Sequence, residues 1–167
     1  MGWLWTFNLV TMALLFVAAL RWGAGPERIC AATVVAMNLG DRAYHLLIGS
    51  DTIYDTVDTG HLILDLAAAA LFIGVALQAN RIYPLWLSAF QLVSIVAHFV
   101  RRVDEQLTIL AYGLLNYAPY YFILLILTGG IWAHARRAKR YGPYRSWRSD
   151  PARSVPFPEP TPTDRPI

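Results

Sequence analysis

The sequence predicts an all-α, polytopic membrane bundle of five transmembrane helices, with the N-terminus outside and the C-terminus cytoplasmic. Three observations predict it. The 167-residue chain is 56% hydrophobic and only 15% charged, against about 25% charged in a soluble domain. Its apolar residues fall into long runs that approach the roughly 30 Å hydrocarbon core of a bilayer when coiled as helices. Its basic residues are segregated: Lys139 with Arg136, Arg137, Arg140, Arg145, Arg148 and Arg153 follow the last apolar run, where positive charge marks a cytoplasmic end. This pattern points to the lipid bilayer as partner, with other membrane subunits as candidates, and not to nucleic acid. The localisation it implies is the cell inner (plasma) membrane, multi-pass.

The first helix covers about residues 3–21. No Lys or Arg precedes Arg21, so the run lacks the charged start of a signal peptide and reads as a retained helix. The turn W-G-A-G-P-E-R follows; its glycines stop one helix and Pro26 opens the next. The second helix covers about 27–48. Its first half is apolar, whereas its second half carries Asn38, Asp41, Arg42 and His45. An acidic loop with Asp51, Asp55 and Asp58 leads to the third helix, about 60–78, whose Ala67–Ala70 cluster suits close backbone packing. Asn80 and Arg81 make a short turn, and Pro84 begins the fourth helix, about 82–100. The fifth, about 106–134, is longer than a straight crossing needs, and Pro119 inside it predicts a kink. Residues 1–141 thus form the membrane domain. Residues 142–167 hold seven of the ten prolines and read as a basic, then proline-rich, disordered cytoplasmic tail.

The positive-inside rule puts the turns bearing Arg21, Arg28 and Arg81 on the tail side and the acidic loop outside. Trp22, Trp86 and Trp132 then fall near the inner interface, and Trp3 and Trp5 near the outer one, as an aromatic belt requires.

This topology gathers polar residues in the outer half and leaves the inner half nearly free of them. Asn38, Asp41 and His45 stand at i, i+3, i+7 on one helical face, and His61 and Asp65 at i, i+4. Gln91, Ser94, His98 and Arg101 share a face of the fourth helix, Tyr112 and Asn116 one of the fifth, and Asn8 is in the first. Lipid cannot satisfy such groups, so they should face a polar pocket open toward the outside. The Asp41/His45 and His61/Asp65 pairs, with His98, offer three imidazoles and two carboxylates at similar depth. Those donors suit Zn or Fe. A bis-histidine haem b, for instance on His61 and His98, and a proton path through the same groups are further alternatives. The bland alternative is an interhelical network, with His98 bonded to Asp65 and Asp41 to an arginine, which alone is reason enough for polar residues in a bundle.

Other chemistries lack their residues. There is no phosphate loop, no dinucleotide fingerprint, no H-E-x-x-H and no G-x-S-x-G elbow. The only lysine, Lys139, lies in the tail, so no retinal Schiff base fits inside the membrane. Cys30 is the only cysteine, which excludes an internal disulfide and predicts a small buried residue. The leading expectation is therefore a non-catalytic accessory or assembly subunit with a polar outer pocket. A metal-dependent membrane enzyme using Asp41, His45, His61, Asp65 and His98 is the runner-up.

Overall fold

The computed structural model describes residues 2–48, 59–103, 109–142 and 144–148, with the side chains of 6–47, 59–100, 117–142 and 144–148. Five helices account for nearly all of it: α1 (Gly2–Trp22), α2 (Gly25–Ile48), α3 (Thr59–Gln78), α4 (Tyr83–Val103) and α5 (Ile109–Tyr141). Each predicted helix is present. The largest difference is α5, which continues seven residues past the expected end at His134, because A-R-R-A-K-R-Y has good helix formers and no breaker before Gly142. Gly142, at φ 76°, ends it in the left-handed conformation that glycine adopts without steric penalty. Pro119 is buried within α5, and the helix runs through it.

Consecutive helices pack side by side, and α1 closes the ring against α5. The α1–α2 turn shows how the chain reverses in two residues. Gly23 N–H still donates to Ala19 O at 2.9 Å, and Arg28 N–H already donates to Ala24 O at 3.1 Å. Gly23 is buried there, and a Cβ would meet the Ala19 carbonyl and Glu27 Cβ, so no larger residue fits without opening the turn.

The core is built largely from small residues. Ala19, Cys30, Ala31, Ala68, Ala69, Ala76, Ala79 and Ala97 are buried, with Phe72, Leu87 and Leu127 filling the space between them. Small side chains let backbones approach, and Gly130 packs directly against the Tyr83 ring across α4 and α5. Of the predicted alanine cluster, Ala68 and Ala69 face inward and Ala67 and Ala70 outward, as helical spacing demands.

The outer surface is apolar. Leu14, Val17, Leu46, Leu47, Leu77, Leu85, Val96 and Leu125 are all exposed, an amount of apolar surface that suits lipid and not water. Among the described residues, Thr59–Gln78, Tyr83–Val100 and Tyr117–Tyr141 are long and apolar enough to cross a membrane, and Thr6–Trp22 is a shorter apolar helix.

The tail is not wholly apart from the bundle. Residues 144–148, expected to be disordered, fold back as a strap across the α3–α4 turn. Asn80 N–H donates to Ser146 O at 3.0 Å and Arg148 N–H to Gln78 O at 2.8 Å. Trp147 is the anchor: its indole lies on Gly25, where a Cβ would collide with it. One aromatic residue fitted to one glycine overrides the proline-rich composition around it. The proline-rich remainder of the tail lies outside the described residues, as do the acidic loop with Asp51, Asp55 and Asp58 and the side chains of Trp3 and Trp5.

Candidate functional site

At the end of the bundle away from the tail, α2, α3 and α4 bring the predicted polar residues together in two groups, not one. The first joins the last turns of α2 to the first turn of α3. His61 Nε2 lies 2.5 Å from Asp41 Oδ1, and His45 Nε2 lies 3.5 Å from the same oxygen. One donor atom from each of Asp41, His45 and His61 falls within 4.8 Å of the others. The spacing explains this. Asp41 and His45 are one helical turn apart, so both face α3, and His61 enters α3 at the level where α2 ends. Tyr44 backs the group: its ring meets His61 edge-on with centroids 5.3 Å apart. Gly60 leaves room for that ring, since a Cβ at this position would run into it.

The second group lies between α3 and α4. Asp65 Oδ2 accepts from His98 Nε2 at 2.9 Å, and Asp65 Oδ1 accepts from Gln91 Nε2 at 2.8 Å. Gln91 is only 1% exposed, and its Oε1 has no partner among the described residues. The five donors expected to share one metal are thus divided into a triad and a bonded pair. His61 and Asp65 differ by about 40° around α3, and that rotation is enough to send one toward α2 and the other toward α4.

The remaining pocket candidates have separate fates. Asn38 Nδ2 donates to Tyr120 O–H at 3.1 Å, tying α2 to α5. Ser94 Oγ sits 3.5 Å from the Phe90 carbonyl on its own helix. Asn8 is half-buried, with its Oδ1 lacking a partner among the described residues. Arg42 is exposed. The side chains of Arg101, Tyr112 and Asn116 lie outside the described residues.

The expectation that the other half of the bundle is nearly free of polar groups is corrected by a third network at the tail end. Glu27 is fully buried. Its Oε2 accepts from Ala24 N–H at 3.0 Å, the reach-back of a capping box, which satisfies a donor that helix geometry leaves open at the start of α2. Its Oε1 accepts from Arg81 Nε at 3.2 Å, with the Arg81 side chain 4% exposed. Arg81 Nη2 then reaches His134 Nδ1 at 2.9 Å, and the Tyr144 hydroxyl stands 2.8 Å from the same nitrogen. The guanidinium also lies over the Tyr144 ring, 4.4 Å from its centroid. Cys30 is buried next to this network, 4.0 Å from the Tyr83 hydroxyl.

This third network was readable in part. G-A-G-P-E is a helix start with its acid at the third helical position, and a lone carboxylate among the arginines of one side needs a basic partner. The sequence does not say that Glu27 is buried, and His134 carries no signal beyond being a polar residue in an apolar run.

The fold and its sites define a class: an all-helical bundle with, among the described residues, three helices long and apolar enough to cross a membrane, a half-exposed Asp/His triad at one end and a buried ion-pair network at the other. Comparison of the chain with protein-family profiles, with curated proteins and with solved structures gives no match.

Proposed function

We propose that this is a five-span inner-membrane protein, N-terminus outside and tail cytoplasmic, that binds one divalent transition-metal ion between α2 and α3 at its outward end. The orientation rests on the basic residues of the tail end and on Trp22, Trp86 and Trp132, all exposed near it, as an interfacial belt would be. The metal rests on one observation, the convergence of the Asp41, His45 and His61 donor atoms.

Metal–ligand bonds of about 2.0–2.2 Å place tetrahedral ligands about 3.3 Å apart. The two separations from Asp41 Oδ1, 2.5 and 3.5 Å, bracket that value. Small side-chain rotations bring the three donors to a common ion. Side-chain exposures of 46% for Asp41, 39% for His45 and 27% for His61 leave the site open to an ion from solution. The Asp41 carboxylate is hydrogen-bonded to His61, with His45 close by, and a metal would replace the proton between Asp41 and His61. Two imidazoles and one carboxylate suit zinc or ferrous iron, and zinc binds such donors more tightly. Three protein ligands leave the fourth tetrahedral position to water or to a donor from a partner. Haem is disfavoured, because the Nε2 atoms of His61 and His98 are each taken by a different carboxylate.

A second observation supports the accessory-subunit reading for the neighbouring pair. Both Asp65 oxygens are used, one by Gln91 and one by His98, which makes Asp65 a clamp between α3 and α4. The two readings divide the residues between them: Asp65 and His98 hold helices, and Asp41, His45 and His61 hold the ion. Elemental analysis of the purified full chain, stripped with chelator and re-equilibrated with zinc, is the test. One zinc per chain is expected; a chain that takes up no stoichiometric metal would reduce the triad to a packing contact.

A further inference from the structure

A hollow lies between α1 and α5 near the tail end of the bundle. From α1 it is lined by Leu15, Ala18 and Trp22, at i, i+3 and i+7, and from α5 by Thr128, Ile131 and Ala135, with Trp132 beside them. These are the steps of single helical faces. The two faces do not close on each other because Ala18, Ala135 and Thr128 are small. The space measures about 290 Å³, room for about ten water-sized groups at about 30 Å³ each. It has little to hold water with. The one hydroxyl on its wall, that of Thr128, is used on the Leu124 carbonyl at 2.7 Å. Open along one side and without free polar partners, the hollow suits an apolar occupant better than ordered water.

The mouth has a different chemistry. Trp22 is 57% and Trp132 61% exposed. The Arg21 guanidinium lies 5.9 Å from the Trp22 ring centroid, and that of Arg136 lies 5.3 Å from the Trp132 ring. A guanidinium held over an indole keeps its N–H edges free for a phosphate. Among the described residues at this end the only carboxylate is Glu27, which is buried and already paired with Arg81. Among the described residues the mouth is therefore positive, with no free carboxylate beside it.

We propose that this crevice is a binding site for one anionic phospholipid, an acyl chain lying in the α1–α5 hollow and the headgroup phosphate on Arg21 and Arg136. A free phosphate would leave the hollow empty, and a neutral lipid would leave the arginines without a counter-charge. Arginine near a membrane surface favours anionic headgroups, and two of them give a preference of about tenfold or more. The inference is independent of the metal reading, since the two sites lie at opposite ends of the bundle.

The test is native mass spectrometry of the full chain in detergent, offered equal amounts of phosphatidylglycerol and phosphatidylcholine with the same acyl chains. The wild type retains phosphatidylglycerol at least about tenfold over phosphatidylcholine. The double variant Arg21→Gln, Arg136→Gln loses the preference, and Ala18→Trp, which fills the hollow, loses retention of both lipids. Ala135→Leu, a milder filling, gives a smaller loss and guards against misfolding of Ala18→Trp. Excess inorganic phosphate leaves the bound lipid in place. Equal retention of the two lipids by the wild type, a preference that survives loss of both arginines, retention unchanged by filling the hollow, or displacement by inorganic phosphate would each overturn the proposal.

Discussion

Glu27 and Asp41 stand near opposite ends of α2, about 21 Å apart along its axis, and each accepts from a cationic or imidazole side chain that comes from outside α2, Arg81 from the α3–α4 turn and His61 from α3. Their surroundings differ completely. The Glu27 side chain is 0% exposed and that of Arg81 4%, whereas Asp41 is 46% exposed. A carboxylate in the first setting has no water to fall back on and must be bonded through both oxygens, as Glu27 is, to Ala24 N–H and Arg81. A carboxylate in the second can exchange partners with solution at little cost. The comparison teaches that burial separates two carboxylate pairings: the sealed one can act only as scaffold, whereas the open one is where the proposed ion would bind. The Asp65–His98 pair, at 16% and 15% exposure, lies between them and is closer to the sealed case.

Substitutions should rank in that order. Glu27→Ala strands Arg81 in the bundle and removes the α2 cap; loss of one member of a buried ion pair costs about 3–5 kcal/mol, to be read as a lowered midpoint in thermal or denaturant unfolding in detergent. A midpoint shift no larger than that of a surface substitution would remove the distinction between the two ends. Asp65→Ala leaves Gln91 and His98 unpaired between α3 and α4 and should cost about 1–3 kcal/mol, with zinc uptake unchanged. Trp147→Ala frees the strap from Gly25 without touching the helices. Local opening by about 1 kcal/mol raises the open population about fivefold, and the rate of tryptic cleavage after Arg145 should rise with it. His61→Ala lies at the other extreme. With its partner half-exposed, it should change stability by less than about 1 kcal/mol while weakening zinc binding by more than the 10–100-fold, roughly, that loss of an outer-shell partner costs.

The same contrast explains what could be read in advance. Apolar run lengths, Pro26 and Pro84 at helix starts, and the glycines of the first turn located all five helices, because those signals are local. Asp41 and His45 could be placed on one face by spacing alone, and His61 at a similar depth by the expected topology. Spacing gives a face but not a neighbour, so the 40° or so between His61 and Asp65, which directs them to different helices, was not legible. Glu27 and Arg81 looked like ordinary turn charges, since burial at a bundle end depends on how tightly the turns fold over it. The strap was hidden for the opposite reason: composition averages over the whole tail, and the Trp147–Gly25 contact is a single long-range fit.

The central claim is that the open end binds a metal through Asp41, His45 and His61 while the more enclosed pairs only hold helices. Calorimetric titration of zinc into the chelator-stripped full chain, run in parallel on the wild type, His61→Ala and His98→Ala, tests it most directly. The account predicts one zinc per chain for the wild type and for His98→Ala, and none for His61→Ala. Zinc binding lost in both variants, or retained in both, would contradict it.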